Sequence, residues 1–196
     1  GINAIKNNFN YKIINAQKFL EIARSIKSAD EIICMRASVK TAEKGIMLMH
    51  ENLKAGITEE ELWSILHKTN IENGGEWFET RLLNSGPKTN PWFQECSNRI
   101  IQEGEIVAFD TDMVGPYGYC ADISRTFVEG RKLTNYQKKI HSLAYENVKY
   151  NEELIKPGLS FKEFAEKAWQ LPDNCFDNHY PCQVHGVGMS DEWPFI

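Results

Sequence analysis

The stretch EIVAFDTDMVGPYGYCADISRTF, residues 105–127, decides the fold class of this chain. Residues 105–112 and 120–128 have the composition of two β-strands, and the glycines and proline of residues 115–118 predict a turn between them. Folded back on itself, this stretch would form an antiparallel hairpin.

The hairpin carries three aspartates among its apolar residues. Asp110 and Asp112 are two residues apart, so in an extended strand they project from one face while Val107 and Phe109 face the core. If the second strand pairs with the first, Asp122 lies opposite them. Three clustered carboxylates repel one another unless a cation lies between them, so the hairpin predicts a metal site.

The alternative is that these aspartates belong to a turn, where aspartate is favoured for local hydrogen bonds, and are solvated. Three carboxylates with two of them aligned in an apolar strand favour the metal site. Oxygen ligands with one imidazole suit Mn²⁺, Fe²⁺ or Zn²⁺, and bridging carboxylates suit two ions about 3.5–4 Å apart.

The segment HYPCQVHGVGMSDEWPFI, residues 179–196, supplies a candidate nitrogen ligand. His185 follows a short apolar stretch and precedes two glycines, which let other groups approach closely. A lone histidine is more often a hydrogen-bonded structural residue, but beside the acidic hairpin His185 supplies the missing nitrogen ligand. Asp191 and Glu192 are candidate general bases, with an exposed turn as the alternative.

Helical patterns lie on both sides of the hairpin. Residues 15–50 predict two helices with a break near residue 28, and Thr58 with Glu61 forms a capping box after a Lys-x-Gly turn. Ser160 with Glu163 repeats this phrase about a hundred residues later, which suits a domain of two similar halves, although such a short match can recur by chance. The sequence therefore predicts one α+β domain.

Composition argues against two classes of protein, those that bind nucleic acids and those that span a membrane. A net charge of −5 and a pI near 5.6 argue against a nucleic-acid partner, and no apolar run is long enough to span a membrane. The five cysteines are odd in number and contain no CxxC pair, so we expect a reducing, cytoplasmic location.

Several motifs together resemble a known superfamily. D-T-D followed by A-D-I-S-R-T-F, then V-H-G-V-G, with the doubled Lys-x-Gly phrase, is similar to the creatinase, aminopeptidase P and methionine aminopeptidase superfamily from about residue 28 onward. This resemblance implies the pita-bread fold, in which two halves close over a dinuclear metal site. It makes residues 28–196 a partial catalytic domain and residues 1–27 a linker or helix from the end of an N-terminal domain.

Longer matches favour one subgroup, the dimethylsulfoniopropionate lyases. N-S-G-P-K-T-N-P-W-F-Q-E, F-D-T-D-M-V-G-P-Y-G-Y-C-A-D and Y-P-C-Q-V-H-G-V-G-M-S-D-E-W-P all resemble that subgroup. The resemblance implies a proton-abstracting base, Asp191, a pocket residue, Tyr180, and four ligands for two Fe, Mn or Zn ions, Asp110, Asp112, Asp122 and His185.

The sulfonium group of that substrate has no mobile proton, so aromatic rings are its expected partners. Four aromatic residues are available for cation–π contacts with a small cationic carboxylate: Trp92, Phe93, Tyr180 and Trp193. The alternative is that these residues are ordinary core or rim residues.

The peptidases of the superfamily differ from this chain in two respects. Their first two metal aspartates are one residue closer together than Asp110 and Asp122, and Asp112 is not part of their pattern. They also have a histidine shortly after a Ser-Gly turn, whereas here Ser85-Gly86 leads into a segment without one. An X-Pro metallopeptidase is therefore the second hypothesis, and a non-catalytic binding domain is the third.

The superfamily also uses two glutamate ligands well beyond the histidine. The chain ends eleven residues after His185, so we expect an incomplete pita-bread domain with reduced metal affinity and doubtful activity. Because the N-terminal domain of many members caps the partner's pocket, the resemblance also implies a homodimer.

Overall fold

The computed structural model describes the backbone of residues 1–196 and every side chain except those of Asn178 and Glu192. The helices are α1 (Ile2–Asn8), α2 (Gln17–Ser25), α3 (Ala29–Asn52), α4 (Glu59–Glu72), α5 (Asn135–Leu154) and α6 (Phe161–Lys167). The strands are β1 (Trp77–Phe78), β2 (Leu83–Ser85), β3 (Ile106–Phe109), β4 (Met113–Val114), β5 (Cys120–Ala121), β6 (Arg125–Val128), β7 (His185–Val187) and β8 (Asp191–Phe195). The predicted α+β class is confirmed.

The predicted helix starts are confirmed at their caps. The Ser28 hydroxyl accepts a hydrogen bond from the Glu31 backbone N–H, and the Glu31 carboxylate accepts one from the Ser28 N–H, which starts α3 after the predicted break. Thr58 and Glu61 form the same reciprocal pair at the start of α4. Each box satisfies two backbone donors that a helix N-terminus leaves unpaired, so these starts follow from local sequence.

The hairpin does not form two continuous strands, and this part of the prediction is wrong. β3 pairs with β2 and β6 in one antiparallel sheet, whereas β4 pairs with β1 and β5 in another. Each arm passes from one sheet to the other through three residues that lie outside the strand ladders, 110–112 in the first arm and 122–124 in the second. The interruption has a local cause, because Asp112 has a φ of +37°, which an extended strand does not adopt.

The shorter predicted strands are also displaced. β2 begins at Leu83, whereas the prediction covered residues 81–83, and Leu82 forms only an isolated bridge with Glu95. Ile100, predicted as a strand with its neighbour, forms only an isolated bridge with Thr58. A strand requires a partner, and strand propensity does not identify the partner.

The core lies between the α3–α4 pair and the sheet of β3. Met49 of α3, Leu62 and Leu66 of α4, and Val107 and Phe109 of β3 are all 0% exposed. Burial of each such side chain contributes about 1.5–3 kcal/mol. The predicted inward orientation of Val107 and Phe109 is confirmed, and it turns the opposite face of β3 toward the acidic residues.

The second helix pair repeats the first in outline. Ser160 with Glu163 caps α6, as the doubled phrase predicts, and Thr134 with Gln137 caps α5, which was not predicted from the sequence. The β7–β8 hairpin follows, and the early helix α2 lies against β8. In the part of the chain described here, none of the helices has the length and apolar character needed to cross a bilayer.

Candidate metal centre

The gap between the two sheets brings the hairpin aspartates together. Asp110 and Asp112 leave the sheet on one arm, and Asp122 leaves it on the other. Each of the three carboxylates offers an oxygen, and these oxygens lie within 4.8 Å of one another. The three residues thus form one cluster, although not through the strand geometry expected.

Asp112 reaches the cluster through a left-handed backbone turn. The prediction that it shares a strand face with Asp110 is wrong, because its φ of +37° breaks the alternation. Two neighbours hold it there: the Glu79 N–H donates to the Asp112 carbonyl at 3.0 Å, and the Thr80 hydroxyl hydrogen-bonds Asp112 Oδ2. Both its backbone and its carboxylate are therefore fixed by the segment that follows β1.

His185 enters from the C-terminal hairpin. Its Nε2 lies 3.0 Å from Asp122 Oδ2, and its Nδ1 lies 3.0 Å from the Gly186 carbonyl oxygen. The hairpin is attached to the acidic arm because the Cys120 N–H donates to the Gly188 carbonyl at 2.7 Å. A histidine whose Nδ1–H donates to a carbonyl presents Nε2 to a metal ion, which is the usual arrangement of a ligand imidazole.

Asp191 joins the same cluster from the start of β8. Asp122, His185 and Asp191 form a second group whose ligand atoms lie within 4.8 Å of one another. Asp191 Oδ1 is buried and has no hydrogen-bond partner among the described side chains and backbone. A buried carboxylate oxygen without a donor is costly, so it indicates a place for a ligand or a substrate proton. The side chain of Glu192, the other predicted base, lies outside the described residues.

Proximity and burial change the acidity of the cluster. Burial, reinforced by the hydrogen bond and charge of Asp122, raises the pKa of Asp110 to about 8. Burial raises the pKa of Asp191 to about 7, and the Asp122 charge adds to the effect. The hydrogen bond to Asp122 raises the pKa of His185 to about 9. Without a cation, these groups therefore retain protons near neutral pH.

Asp122 behaves differently because it stands at the centre. Burial favours its protonated form, but hydrogen bonds from His185 and Asp110 outweigh burial and lower its pKa. It belongs to both three-residue groups, so its carboxylate lies between two candidate cation positions. Clustered carboxylates with one imidazole are a donor set that suits a divalent ion, and a bound cation would neutralise the repulsion that the protons now relieve.

A cavity of about 680 Å³ opens onto this cluster. Asp110, Asp122 and His185 form part of its wall, and Trp92 and Tyr180 contribute aromatic faces. The cavity thus combines the acidic groups with two of the four predicted aromatic residues. A volume of this size accommodates a small organic substrate.

The other two aromatic residues lie apart from the cavity wall. Phe93 stacks on Tyr180 with ring centroids 5.4 Å apart, and the rings of Phe93 and Trp92 meet edge to face at 6.0 Å. Trp193 packs edge to face against Phe161 of α6, with centroids 5.2 Å apart. Phe93 therefore supports Tyr180 from behind, while Trp193 joins β8 to α6.

Sequence reasoning did not identify Glu79 and Thr80 as neighbours of the cluster. Although Glu79 is exposed at the surface, partial burial of its carboxylate and the charge of Asp112 raise its pKa. Its Oε1 lies 3.8 Å from Cys120 Sγ. The phrase E-W-F-E-T contains no motif, and only the pairing of β1 with β4 brings these residues to the site.

The chain is similar to known proteins in sequence and in fold. The model of Peptidase_M24, metallopeptidase family M24, matches residues 33–196. Two curated relatives named dimethylsulfoniopropionate lyase DddP, from Roseovarius nubinhibens and Roseobacter denitrificans, are each 40% identical to the chain over 193 residues. The prolidase from Pyrococcus furiosus superimposes with a TM-score of 0.76 and 27% identity. These likenesses bear out the pita-bread fold predicted from the resemblance.

The alignments cover nearly all of this chain but only part of each relative. The alignments with the two lyases cover 95% of this chain but 43% of each relative. The superposition with the prolidase covers 91% of this chain and 53% of that one. The chain therefore spans about half the length of the proteins it matches.

Proposed function

The chain belongs to metallopeptidase family M24. From that premise we propose that it forms part of a metal-dependent lyase that cleaves dimethylsulfoniopropionate into dimethyl sulfide and acrylate. One observation carries the proposal: the relatives that bear the lyase name are 40% identical over nearly the whole chain, whereas the prolidase is 27% identical. Asp112, absent from the peptidase pattern, lies inside the acidic cluster and supports the same choice.

Asp110, Asp112, Asp122 and His185 would hold the metal. When bound there, one or two divalent ions, Fe, Mn or Zn, would attract the substrate carboxylate and make the neighbouring C–H more acidic. The chain's own contribution is to hold four donors in a partly buried cluster that opens into the cavity.

Asp191 is the proposed base. Its buried Oδ1 has no partner among the described groups, and its carboxylate lies beside Asp122 and His185. In the proposed β-elimination, Asp191 takes the proton from the carbon next to the substrate carboxylate. The electron pair of that C–H bond forms the carbon–carbon double bond, and the C–S bond breaks with its pair leaving on dimethyl sulfide.

Trp92 and Tyr180 are the proposed partners of the sulfonium group. Both line the cavity that contains Asp110 and Asp122, and Phe93 stacks behind Tyr180 at 5.4 Å. A sulfonium cation donates no hydrogen bond, so the faces of aromatic rings are its best contacts, each worth about 0.5–2 kcal/mol. In this arrangement the cationic end of the substrate would contact the rings, and its carboxylate would face the metal held by the acidic cluster.

Release of dimethyl sulfide tests the proposal. The metal-loaded protein, supplied with dimethylsulfoniopropionate, should release dimethyl sulfide into the headspace, and Asp191→Asn should reduce the rate at least about 100-fold, as expected for loss of a general base. Asp173→Asn is the matched control: it changes an exposed aspartate in the segment before the β7–β8 hairpin and should leave the rate unchanged.

An X-Pro peptidase is the second candidate, because the prolidase likeness extends over most of the chain. The same preparation should therefore be given an X-Pro dipeptide. Proline release without dimethyl sulfide would replace the lyase by the peptidase. The absence of both products, with metal bound, would favour a binding domain.

The proposal also covers the domain organisation, the oligomeric state and the cellular location of the chain. Residues 28–196 act as part of the catalytic domain, while residues 1–27 link it to further structure. Two copies associate, as the resemblance implies. A cytoplasmic location agrees with five cysteines that are all free among the described residues.

A further inference from the structure

The acidic cluster lies where the regular pairing of the hairpin is interrupted. Ladder pairing ends at Phe109 with Arg125 and resumes at Met113 with Ala121. Residues 110–112 and 122–124, which carry the three aspartates, lie between these pairs. The separation of the two arms at this point is therefore not set by the backbone ladder that fixes it on either side.

One side chain bridges this interruption. Thr111 is fully buried, and its hydroxyl donates to the Ala121 carbonyl at 2.6 Å. The same oxygen accepts a hydrogen bond from the Ile123 N–H at 2.9 Å. Ala121 and Ile123 are the two neighbours of Asp122, so a single hydroxyl holds the backbone on both sides of that aspartate.

Thr111 also contacts its own arm. Its backbone N–H donates to Asp110 Oδ1 at 3.0 Å, which orients that carboxylate. A threonine hydroxyl has one donor and two acceptor positions, and here the donor and one acceptor are used by backbone groups of the opposite arm. Thr111 is thus connected to Asp110 on one side and to the surroundings of Asp122 on the other.

We propose that Thr111 is a positioning residue that sets the distance between the Asp110–Asp112 arm and the Asp122 arm, and thereby the metal affinity of the cluster. The inference rests on the metal site of the proposed function, though not on the reaction. Metal ligands must lie within a few tenths of an ångström of their preferred distances, so a fixed separation of the arms matters. Groups that orient ligands commonly change metal affinity by about 10–100-fold when they are removed.

The test is Mn²⁺ binding by the metal-free protein, followed through the EPR signal of free Mn²⁺. Thr111→Val has almost the same shape but no hydroxyl, and it should raise the dissociation constant about 10–100-fold. Thr111→Ser retains the hydroxyl and should restore most of the affinity. Thr69→Val is the matched control: Thr69 is also buried and donates to the Ile65 carbonyl at 2.7 Å, but it belongs to α4.

Circular dichroism should establish that each variant is folded. If Thr111→Val does not fold, Thr111→Cys replaces it, because a thiol of similar size is a weak donor and acceptor and should still weaken Mn²⁺ binding. Unchanged affinity in the folded Val or Cys variant would overturn the inference. An equal loss in Thr111→Ser or in Thr69→Val, or an absence of Mn²⁺ binding in the unaltered chain, would also overturn it.

Dimethyl sulfide release is measured separately on the same samples. Mn²⁺ binding that depends on the Thr111 hydroxyl, without dimethyl sulfide from the unaltered chain, would support the inference and refute the lyase. Dimethyl sulfide release with equal Mn²⁺ affinity in Thr111→Val would support the lyase and refute the inference.

Discussion

At the scale of single residues, Asp112 combines an unfavourable backbone with an unfavourable charge. A φ of +37° costs a residue with a Cβ about 1–2 kcal/mol, although aspartate tolerates it better than most. Burial, followed by the charge of Asp122, also raises the pKa of its carboxylate. A carboxylate at this position therefore lowers the stability of the metal-free fold, as is common for ligand and catalytic groups.

We expect Asp112→Asn to separate these two properties. Asparagine tolerates the left-handed conformation and retains a partner for Thr80, but it carries no charge. The metal-free variant should be more stable by about 1 kcal/mol in urea unfolding, a usual size for a single substitution. Its Mn²⁺ affinity should fall at least about tenfold.

Asp173→Asn serves again as the control and should change neither quantity. A metal-free Asp112→Asn protein that is less stable than the unaltered chain would show instead that the carboxylate stabilises the empty cluster.

At the scale of elements, the start of α4 anchors the segment that carries Trp92. Glu59, the first residue of α4, is 0% exposed, and its carboxylate accepts hydrogen bonds from Ser85, from Ser97 and from Lys88 Nζ, the last at 2.6 Å. The positive end of the helix dipole also favours this charge. One buried carboxylate thus ties residues 85–97 to the helix, and Trp92 with them.

Because of this buried carboxylate, the free energy of unfolding should depend on pH in the acidic range. Burial alone would raise the pKa of Glu59, but hydrogen bonds from Lys88, Ser85 and Ser97 lower it below the ordinary value of 4.5. A lowered folded-state pKa gives stability that is complete above 4.5 and is lost as pH falls through the folded-state pKa. Glu59→Gln should therefore be less stable than the unaltered chain by about 3 kcal/mol at pH 7, and the difference should shrink below pH 4.5.

Urea unfolding between pH 7 and pH 3 measures this difference. Glu60→Gln changes the neighbouring, exposed glutamate of the same helix and, as the matched control, should change stability at pH 7 far less than Glu59→Gln does. A constant gap between Glu59→Gln and the unaltered chain across this range would contradict the role given to the ionised carboxylate.

The elements that sequence predicted are those with local causes. The capping boxes of Ser28 and Thr58 fix helix starts with residues three positions away, so the printed sequence contains all that is needed. The aspartate spacing indicated a cluster, although the strand geometry inferred from it was wrong. The contacts of Thr80 with Asp112 and of Lys88 with Glu59 join residues about thirty positions apart. No local pattern in a single sequence identifies such distant pairs.

At the scale of the whole molecule, the N-terminal segment exposes many large apolar side chains. Tyr11, Ile14, Phe19 and Leu20 are each more than 60% exposed. Exposed apolar side chains, where they gather on one surface, commonly mark an association site. For the proposed homodimer, this segment is the candidate surface, with a second copy as its partner.

Light scattering should then give twice the chain mass of 22.5 kDa. Replacing Phe19 and Leu20 together by serine should shift the protein to the monomer mass, because each loses exposed apolar area that association would bury. Ile155→Ser, which alters an exposed isoleucine after α5, should leave the mass unchanged. A monomer mass for the unaltered chain at high concentration would refute the proposal.

The contact between His185 and Asp122 also has a consequence for synthesis on the ribosome. Asp122 leaves the exit tunnel about 60 residues before His185, which lies 3.0 Å from it in the folded chain. At about 5–20 residues per second, that interval lasts several seconds. During this time the nascent chain carries its carboxylates without the imidazole. Any metal ion captured early would meet oxygen donors alone, and His185 would add the nitrogen donor only later.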